Sequence, residues 1–200
     1  MAGEATAPLV GLVSKEDAPP EVRAVYDRAE PVYGRLLHTW QALAQRPEIF
    51  TAYLPYLRSI IGPGELEQRI KELVEVRTVV LNHCLYSTSH RVRSARAAAV
   101  ADEDIIAVAR GELDGFDARE RLALELAEAL TVAPPVVAYA DAPQLVPNEM
   151  LVRLREEFSE PAIVELVATI GLWNALARFH RVMGFELDMD APPDEVVAEL

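Results

Sequence analysis

Residues 72–91 read ELVEVRTVVLNHCLYSTSHR. This stretch holds the only cysteine of the chain, two of its four histidines, a glutamate and an arginine. The apolar positions of residues 65–81 recur at helical spacing and are dense enough to predict a largely buried helix. Asn82 is of a residue type that often ends helices, and a second helix is predicted from this junction to Ala99. We therefore expect a bend near Asn82.

The expected bend would bring a carboxylate to a thiol. Glu72 precedes Cys84 by twelve residues, so it reaches Cys84 and Ser87 only if the second helix folds back. Glu72 would then be a general base or proton relay, beside a thiol whose thiolate the helix dipole favours. Each residue also has a structural alternative. Glu72 would be solvated and paired with Arg69 or Lys71. Cys84 would be a small buried apolar residue, and Ser87 an ordinary serine of the first helical turn.

Helical spacing determines which of the remaining side chains of this stretch share a face of the helix. Seven residues make nearly two turns, so Cys84 and Arg91 share a face. His83 and His90 share another face, which also carries Ser87. Two histidines and a serine on one stripe are a candidate proton-transfer site, whereas their spacing disfavours a zinc site. Alternatively, each histidine is a hydrogen-bonded core or interface residue. Arg91 would grip a substrate carboxylate or form an ion pair, within the chain or across a subunit interface.

Other polar-tipped side chains occur in apolar helical segments, where they either line a pocket or pack in an aromatic core. They are His38, Tyr53, Tyr56, Trp173, Asn174 and His180. The basic run at residues 91–96 is too short for nucleic-acid recognition and lacks interleaved aromatic residues.

The composition is ordinary for a globular protein and disfavours some classes of partner. Apolar residues make up 51% and charged residues 26% of the 200 residues, which excludes wholesale disorder. The formal net charge of −13 repels phosphate backbones and anionic lipid, so neither a nucleic-acid nor a membrane partner is expected. No apolar run is expected to reach the ~18–20 residues of a membrane span. The N-terminus lacks signal-peptide features, and one cysteine forms no internal disulfide, so we expect a cytoplasmic protein.

Helical periodicity dominates the chain and predicts an all-α, single-domain fold of about eight helices. The predicted helices cover residues 21–29, 33–45, 47–61, 65–81, the segment up to Ala99, 102–110, 118–131, 148–158 and 160–183. Asp102, Asp117 and Asn148 are the expected N-caps, and Gly111 and Gly184 the expected stops. Residues 133–147 form a proline-rich connection. We expect an N-terminal arm at 1–15, a domain at 16–188 and an acidic, extended tail at 189–200.

Several blocks of the chain resemble the carboxymuconolactone decarboxylase and alkylhydroperoxidase D-like family. The resemblance begins with Arg69-x-x-Glu72-Leu73-Val74-x-x-Arg77 and continues with Asn82-x-Cys84-x-Tyr86-Ser87. The helix of residues 91–98, the block at 127–131 and the block at 170–179 extend it, so that it covers residues 16–188. The resemblance implies an alkylhydroperoxidase D-like helical fold and a homo-oligomer, either a dimer, a trimer or a hexamer.

The chain departs from the redox members of that family at two positions. Those members carry C-x-x-C and a histidine four residues later, whereas here Ser87 replaces the second cysteine and Arg91 the histidine. His90 lies one residue early, about a third of a turn away. A dithiol–disulfide cycle needs two sulfurs, so it cannot run within this chain.

The decarboxylase branch of the family implies chemistry without a metal or an organic cofactor. Glu72 or a histidine would act as acid and base, Ser87 and Tyr86 as donors to an enolate, and Arg91 as carboxylate clamp. The catalytic candidates are Glu72, Cys84, Ser87 and His90, and the substrate-binding candidates are His83, Tyr86, Arg91 and Trp173. We expect a cofactor-independent lyase, decarboxylase or isomerase acting on a small carboxylated or carbonyl-bearing molecule. The alternatives are a single-cysteine thiol peroxidase and a non-catalytic oligomeric binding protein.

Overall fold

A computed structural model describes the protein over residues 7–132 and 145–200, and this part of the chain contains ten α-helices and no strand. The helices are α1 Pro20–Tyr33, α2 His38–Leu43, α3 Pro47–Ile61, α4 Gln68–Leu81, α5 Leu85–Ala97, α6 Asp102–Arg110, α7 Ala118–Thr131, α8 Asn148–Glu157, α9 Glu160–Met183 and α10 Asp194–Val197. Only α2 and α10 are shorter than nine residues. The predicted all-α fold of about eight helices is confirmed.

Helix α4 lies at the centre of the molecule, packed against α5, α6, α7 and α9. Almost every residue from Ile70 to Val80 is buried, including the charged side chains of Lys71, Glu72 and Glu75. The main apolar core surrounds α4, and a second apolar cluster joins α1, α2 and α3. A third cluster lies where α3, α5 and α9 meet, and it contains Cys84 and Trp173.

Most helix ends follow the local signals of the sequence. Asp117 and Glu120 form a capping box at the start of α7, and α9 ends at Gly184 with a left-handed φ of 67°. Two expected caps are wrong, because Ala101 and Pro147 hold the N-cap positions of α6 and α8. The predicted helix at 33–45 shortens to α2, and the proline-rich connection at 133–147 lies largely outside the described residues.

The predicted bend is present between α4 and α5. His83 adopts a left-handed φ of 50°, and Cys84 is the N-cap of α5. The two helices form a hairpin in which Glu75 pairs with Arg91 and Glu72 with Ser94. This register decides which side chains can meet.

The C-terminal tail is folded, so the expectation of an extended arm is wrong. Helix α10 packs on α6, and Val196 is fully buried there. At the other end, the backbone of Leu9 donates to Met183 and that of Val13 to Gln41. The boundaries expected at residues 15 and 188 remain predictions.

The expectation that no apolar run reaches the length of a membrane span is wrong for helix α9. It is long and apolar enough to cross a membrane by length and composition, and half of its most apolar window is buried inside the fold. A core helix of a globular protein has the same character. The inner side of α9 carries Asn174 and His180, which are hydrogen-bonded within the structure.

Candidate active site

The bend between α4 and α5 aligns a thiol, a hydroxyl and an imidazole. The Sγ atom of Cys84 accepts from the backbone N–H of Ser87 at 3.5 Å and lies 3.1 Å from the Oγ atom of Ser87. That Oγ atom is 2.8 Å from Nδ1 of His180, which α9 presents to α5. All three side chains are buried.

The hydrogen bonds continue from His180 to a carboxylate. The Nε2 atom of His180 is 2.9 Å from Oγ1 of Thr39, which lies 3.2 Å from the hydroxyl of Tyr86. Tyr86 donates to Oδ2 of Asp188 at 2.6 Å, and Nε2 of His90 lies 2.5 Å from Oδ1 of Asp188. We call this set of seven residues the relay: Cys84, Ser87, His180, Thr39, Tyr86, Asp188 and His90.

The ionisation of Asp188 fixes the direction of the hydrogen bonds at one end of the relay. Burial raises the pKa of Asp188, but hydrogen bonds from His90, Tyr86 and the backbone of His38 outweigh burial, and the pKa lies below its ordinary value. An ionised carboxylate only accepts, so Tyr86 must donate to it. The hydroxyl of Thr39 therefore donates to Tyr86.

The neutral state of His180 fixes the directions at the other end. Burial, with a smaller effect of His90, lowers the pKa of His180 to about 3, so its imidazole is neutral at pH 7. Since the hydroxyl proton of Thr39 is engaged, Nε2 of His180 carries the proton and Nδ1 is bare. Ser87 then donates to Nδ1, and the S–H of Cys84 donates to Ser87. Each donor in the relay points toward Asp188.

His90 reaches Asp188 from the opposite side. Burial lowers the pKa of His90 and outweighs the hydrogen bond to Asp188, which raises it. The neutral imidazole donates from Nε2 to Asp188, which leaves the lone pair on Nδ1. Within residues 7–132 and 145–200, no hydrogen bond reaches this Nδ1 atom.

Two adjoining cavities meet at His90 and Arg91. The inner cavity, of about 50 Å³, is lined by Thr39, Tyr53, Trp173 and His180 among others. The outer cavity, of about 260 Å³, also contacts Arg93 and Ser94. A water molecule occupies roughly 30 Å³ in the liquid, so the inner cavity holds one or two waters or a small substituent. A small organic molecule fits only the outer one.

Arg91 is held between an acid and an aromatic ring. Its Nη1 atom donates to Glu75 at 2.7 Å, and its guanidinium carbon lies 4.1 Å from the centroid of Trp173. Burial raises the pKa of Glu75, while the charge of Arg91 opposes that rise. The ion-pair alternative for Arg91 is therefore present within the chain. The side chain also lines both cavities, and its role as a carboxylate clamp stays a prediction.

The expectation that Glu72 meets Cys84 and Ser87 is wrong. Glu72 is 3% exposed and accepts from Gln68 at 2.7 Å and from Ser94 at 3.0 Å. Ser94 is the residue of α5 that lies opposite Glu72. Ser87 precedes Ser94 by about two helical turns, so it lies ~10 Å further along the hairpin from Glu72. The solvated alternative for Glu72 is wrong as well.

The other candidates fall into three places. His83 is exposed and precedes α5, so the predicted stripe with His90 does not form. Cys84, Ser87 and Tyr86 belong to the relay but line neither cavity. His90, Arg91 and Trp173 lie at the cavity wall.

The sequence patterns do not identify three residues of the site, namely Thr39, Glu75 and Asp188. Each is far along the chain from its partners or hidden among many acidic residues, so no local pattern marks it. Of the polar-tipped set, His180 and Tyr53 do reach the cavity, whereas Tyr56 is exposed. In the described residues, no group of three or more His, Cys, Asp or Glu side chains is placed to hold a metal ion.

Comparisons with known proteins agree with this architecture. Two solved structures superpose on nearly the whole chain. One is an uncharacterized peroxidase-related protein of Ralstonia eutropha with an alkylhydroperoxidase AhpD core; it is 20% identical, has a TM-score of 0.77, and the match covers 96% of this chain and 95% of that one. The other is the debrominase Bmp8, as a cysteine-to-alanine variant in complex with 2,3,4-tribromopyrrole; it is 20% identical, has a TM-score of 0.75, and the match covers 98% of this chain and 99% of that one. Identities this low establish a shared fold only.

Sequence comparison gives the family. The uncharacterized protein YnjA of Escherichia coli is 31% identical over 136 residues, 68% of this chain and 67% of the relative. The uncharacterized protein YdfG of Bacillus subtilis is 28% identical over 122 residues, 60% and 78% respectively. The model of the Carboxymuconolactone decarboxylase family matches residues 47–129, which include the α4–α5 hairpin. With its alkylhydroperoxidase D-like fold, the chain belongs to the carboxymuconolactone decarboxylase family.

Proposed function

We propose that the protein catalyses acid–base proton transfer on a small carboxylated or carbonyl-bearing molecule, as a cofactor-independent lyase, decarboxylase or isomerase. One observation carries the proposal. His90 and Arg91 both line the two cavities, and His90, a neutral imidazole, is held by the buried carboxylate of Asp188 behind it.

The roles follow from this geometry. A substrate in the outer cavity places its carboxylate or carbonyl oxygen against Arg91, which offsets the charge that develops there. Nδ1 of His90 removes a proton from the substrate, and Asp188 stabilises the imidazolium as it forms. In an isomerisation the same imidazolium returns the proton to another carbon. In a decarboxylation no C–H proton is removed first: the carboxylate leaves as carbon dioxide, and the resulting carbanion takes a proton that His90 has acquired from solvent. Glu75 and Trp173 keep Arg91 in place.

Deuterium incorporation over a panel of compounds tests the proposal even though the exact substrate is unidentified. Small 2-oxo acids and lactones are incubated with the protein in D2O and followed by proton NMR. We expect exchange or turnover with the wild type, and a loss of roughly 100-fold or more in His90→Gln, since general acid–base groups contribute about 10²–10⁴ in rate. His83→Gln is the matched control, because His83 is exposed and outside the cavities. Unchanged exchange in His90→Gln, or none by the wild type over the panel, contradicts the proposal.

Thiol chemistry at Cys84 is a second candidate, favoured by the relay. Proton transfer through Ser87 to the bare Nδ1 of His180 would leave a thiolate, but the pKa of about 3 makes His180 a weak base for this step. The thiolate would attack the O–O bond of a hydroperoxide, releasing an alcohol and leaving a sulfenic acid that two external thiols reduce. Cys84 is only 2% exposed and lines neither cavity, which ranks this candidate second.

Intact mass after treatment with a hydroperoxide separates the candidates. Addition of one oxygen to the wild type, and none to Cys84→Ala, supports thiol chemistry. An inert thiol together with active deuterium exchange supports the acid–base proposal. A protein inert in both assays fits the third possibility, a binding protein on this scaffold.

A further inference from the structure

The hydroxyl of Tyr53 is not explained by contacts within the chain. The residue lines the inner cavity, and its side chain packs against both the second apolar cluster and the third. Two other buried tyrosines have acceptors, since Tyr26 donates to backbone carbonyls and Tyr86 to Asp188. Within residues 7–132 and 145–200, no hydrogen bond reaches the Tyr53 hydroxyl. A polar group shielded from water normally has a partner, so its partner is expected from outside the chain.

Tyr53 is a donor at neutral pH, and a second donor lies near it. Burial raises the pKa of the Tyr53 hydroxyl, and the charge of Arg91 opposes that rise without cancelling it. Arg91 lines the same cavity, and its buried Nε atom has no acceptor in the described part of the chain. A guanidinium has only donors, so it cannot accept the proton of Tyr53. Both groups therefore call for an acceptor that the ligand supplies.

The rest of the inner cavity favours an oxygen acceptor over a cation. Thr39 and His180 already donate within the relay. No carboxylate lines the cavity in the part of the chain that the structure describes, so an ammonium group would be desolvated without a counter-charge. The volume of about 50 Å³ suits one carbonyl or carboxylate group and excludes a carbon skeleton. The aliphatic side chains that line it are Leu37, Leu57, Ile61 and Leu176.

We propose that Tyr53 donates a hydrogen bond to the reacting oxygen of the substrate, which enters the inner cavity beside Arg91 while the carbon skeleton stays in the outer cavity. The inference rests on the acid–base function proposed above and narrows its substrate class. The substrate carries its acidic C–H bond next to a terminal carbonyl or carboxylate group that has no cationic or bulky substituent.

The step is a proton abstraction that places charge on that oxygen. Nδ1 of His90 takes the proton, the electron pair of the C–H bond forms the C=C bond of an enolate, and a C=O pair moves to the oxygen. The hydroxyl of Tyr53 and the guanidinium of Arg91 then stabilise the oxyanion. The hydroxyl keeps its own proton throughout.

Acetate binding tests the site without reference to turnover. Acetate is titrated at constant ionic strength and followed by saturation-transfer NMR and by the fluorescence of Trp40 and Trp173, the two tryptophans of the chain, which both line the inner cavity. Tyr53→Phe should weaken acetate binding roughly tenfold or more, since it removes a hydrogen bond to a charged group. Its melting temperature should not fall, because the lost hydroxyl has no partner within the fold.

Tyr56→Phe is the matched control. Tyr56 lies three residues further along α3, is 53% exposed and lines neither cavity. This variant should bind acetate as the wild type does. Methylammonium, a cation of similar size, should not bind to either protein.

Deuterium exchange then separates this inference from the function on which it rests. Removal of one oxyanion donor costs roughly 100-fold or more in kcat, so Tyr53→Phe should lose that much exchange while Tyr56→Phe keeps it. Acetate binding that depends on Tyr53, in a protein without any exchange, contradicts the acid–base function and supports Tyr53 as the donor to a carboxylate. Exchange that needs His90 but survives in Tyr53→Phe overturns only the inference about Tyr53.

Three binding results also overturn the inference. They are a wild type to which neither method detects acetate binding, a Tyr53→Phe variant that binds acetate as tightly as the wild type, and binding of methylammonium as tight as that of acetate. The second result would mean that water alone satisfies the Tyr53 hydroxyl.

Discussion

Ser87 lies near one end of the relay, between a thiol and an imidazole nitrogen. Its hydroxyl donates to His180 and accepts from Cys84, so it links the two groups. The family resemblance places the second cysteine of the redox members at this position. The sequence therefore differs by one atom, oxygen for sulfur, from a chain with a resolving cysteine.

Ser87→Cys should create a disulfide-forming pair. The side-chain atoms of residues 84 and 87 are already 3.1 Å apart, and a disulfide needs 2.0–2.1 Å after a small rotation about the side-chain bonds. Thiol titration after mild oxidation should find two thiols before treatment and none after it. Ser89→Cys, buried two residues away on the same helix, is the control and should keep its thiols. Persistence of both thiols in Ser87→Cys would mean that the two side chains do not face each other.

Burial of His180 makes stability depend on pH. Its pKa falls to about 3 in the folded protein, against ~6.5 in the unfolded chain, so the unfolded state binds the proton first as pH drops. The free energy of unfolding should therefore rise with pH between these values, and fall by about 2 kcal/mol from pH 6.5 to pH 5. His90, whose pKa is also lowered, adds to the same trend. Urea unfolding checks this, with His83→Gln as a variant that should keep the slope. Stability that is flat over this range contradicts a buried, neutral His180.

At the scale of elements, the α4–α5 hairpin fixes the site through the Glu75–Arg91 pair. Glu75→Gln leaves the guanidinium buried beside Trp173 without its counter-charge. Breaking such a buried pair costs about 3 kcal/mol or more. The pair of Glu125 and Arg153 is partly exposed, so Glu125→Gln should cost less than ~1 kcal/mol. Denaturant unfolding measures the free energy of unfolding of both variants. Equal losses would show that the buried Glu75–Arg91 pair contributes no more to stability than the partly exposed pair.

Local signals were sufficient to predict most elements. The helix at 47–61 begins at a proline, the helix at 118–131 begins at a capping box, and the helix at 160–183 ends at a left-handed glycine. Each of these signals acts within one turn of the chain, which is why the sequence alone reveals them.

Because these signals act only over short distances along the chain, the sequence predicts only part of the site. The bend near Asn82 has a local cause, but the register of the hairpin behind it depends on packing around α4. That register moves Glu72 to Ser94 and brings Glu75, which carried no distinctive pattern, to Arg91. Asp188 comes from a segment after α9, one hundred and two residues from its partner Tyr86. Neither periodicity nor motif spacing reports contacts of that range.

At the scale of the whole molecule, the C-terminal tail closes the structure instead of trailing from it. The segment after α9 delivers Asp188 to the relay, and α10 then docks on α6 through Val196. The segment after α9 therefore carries both the carboxylate of the relay and part of the core. A cytoplasmic location and the absence of nucleic-acid and membrane partners remain predictions from composition.

Adjacent valines of α10 test this docking. Val196→Asp places a charge in a fully buried position and should destabilise the fold by several kcal/mol, on the order of 3. Val197→Asp is the matched control, since Val197 is 38% exposed and the change there should cost less than ~1 kcal/mol. Thermal unfolding compares the two. Similar melting temperatures would indicate that the tail is not docked in solution.

Nitrogen NMR of the histidine side chains tests the central claim most directly, because it reports which ring nitrogen carries the proton. The relay predicts that His90 and His180 are both neutral at pH 7, each protonated on Nε2 and bare on Nδ1. Asp188→Asn should alter the signals of His90, while the exposed His83 serves as an internal reference. An imidazolium at His90 at pH 7, or a proton on its Nδ1, would contradict the claim that this atom is the catalytic base.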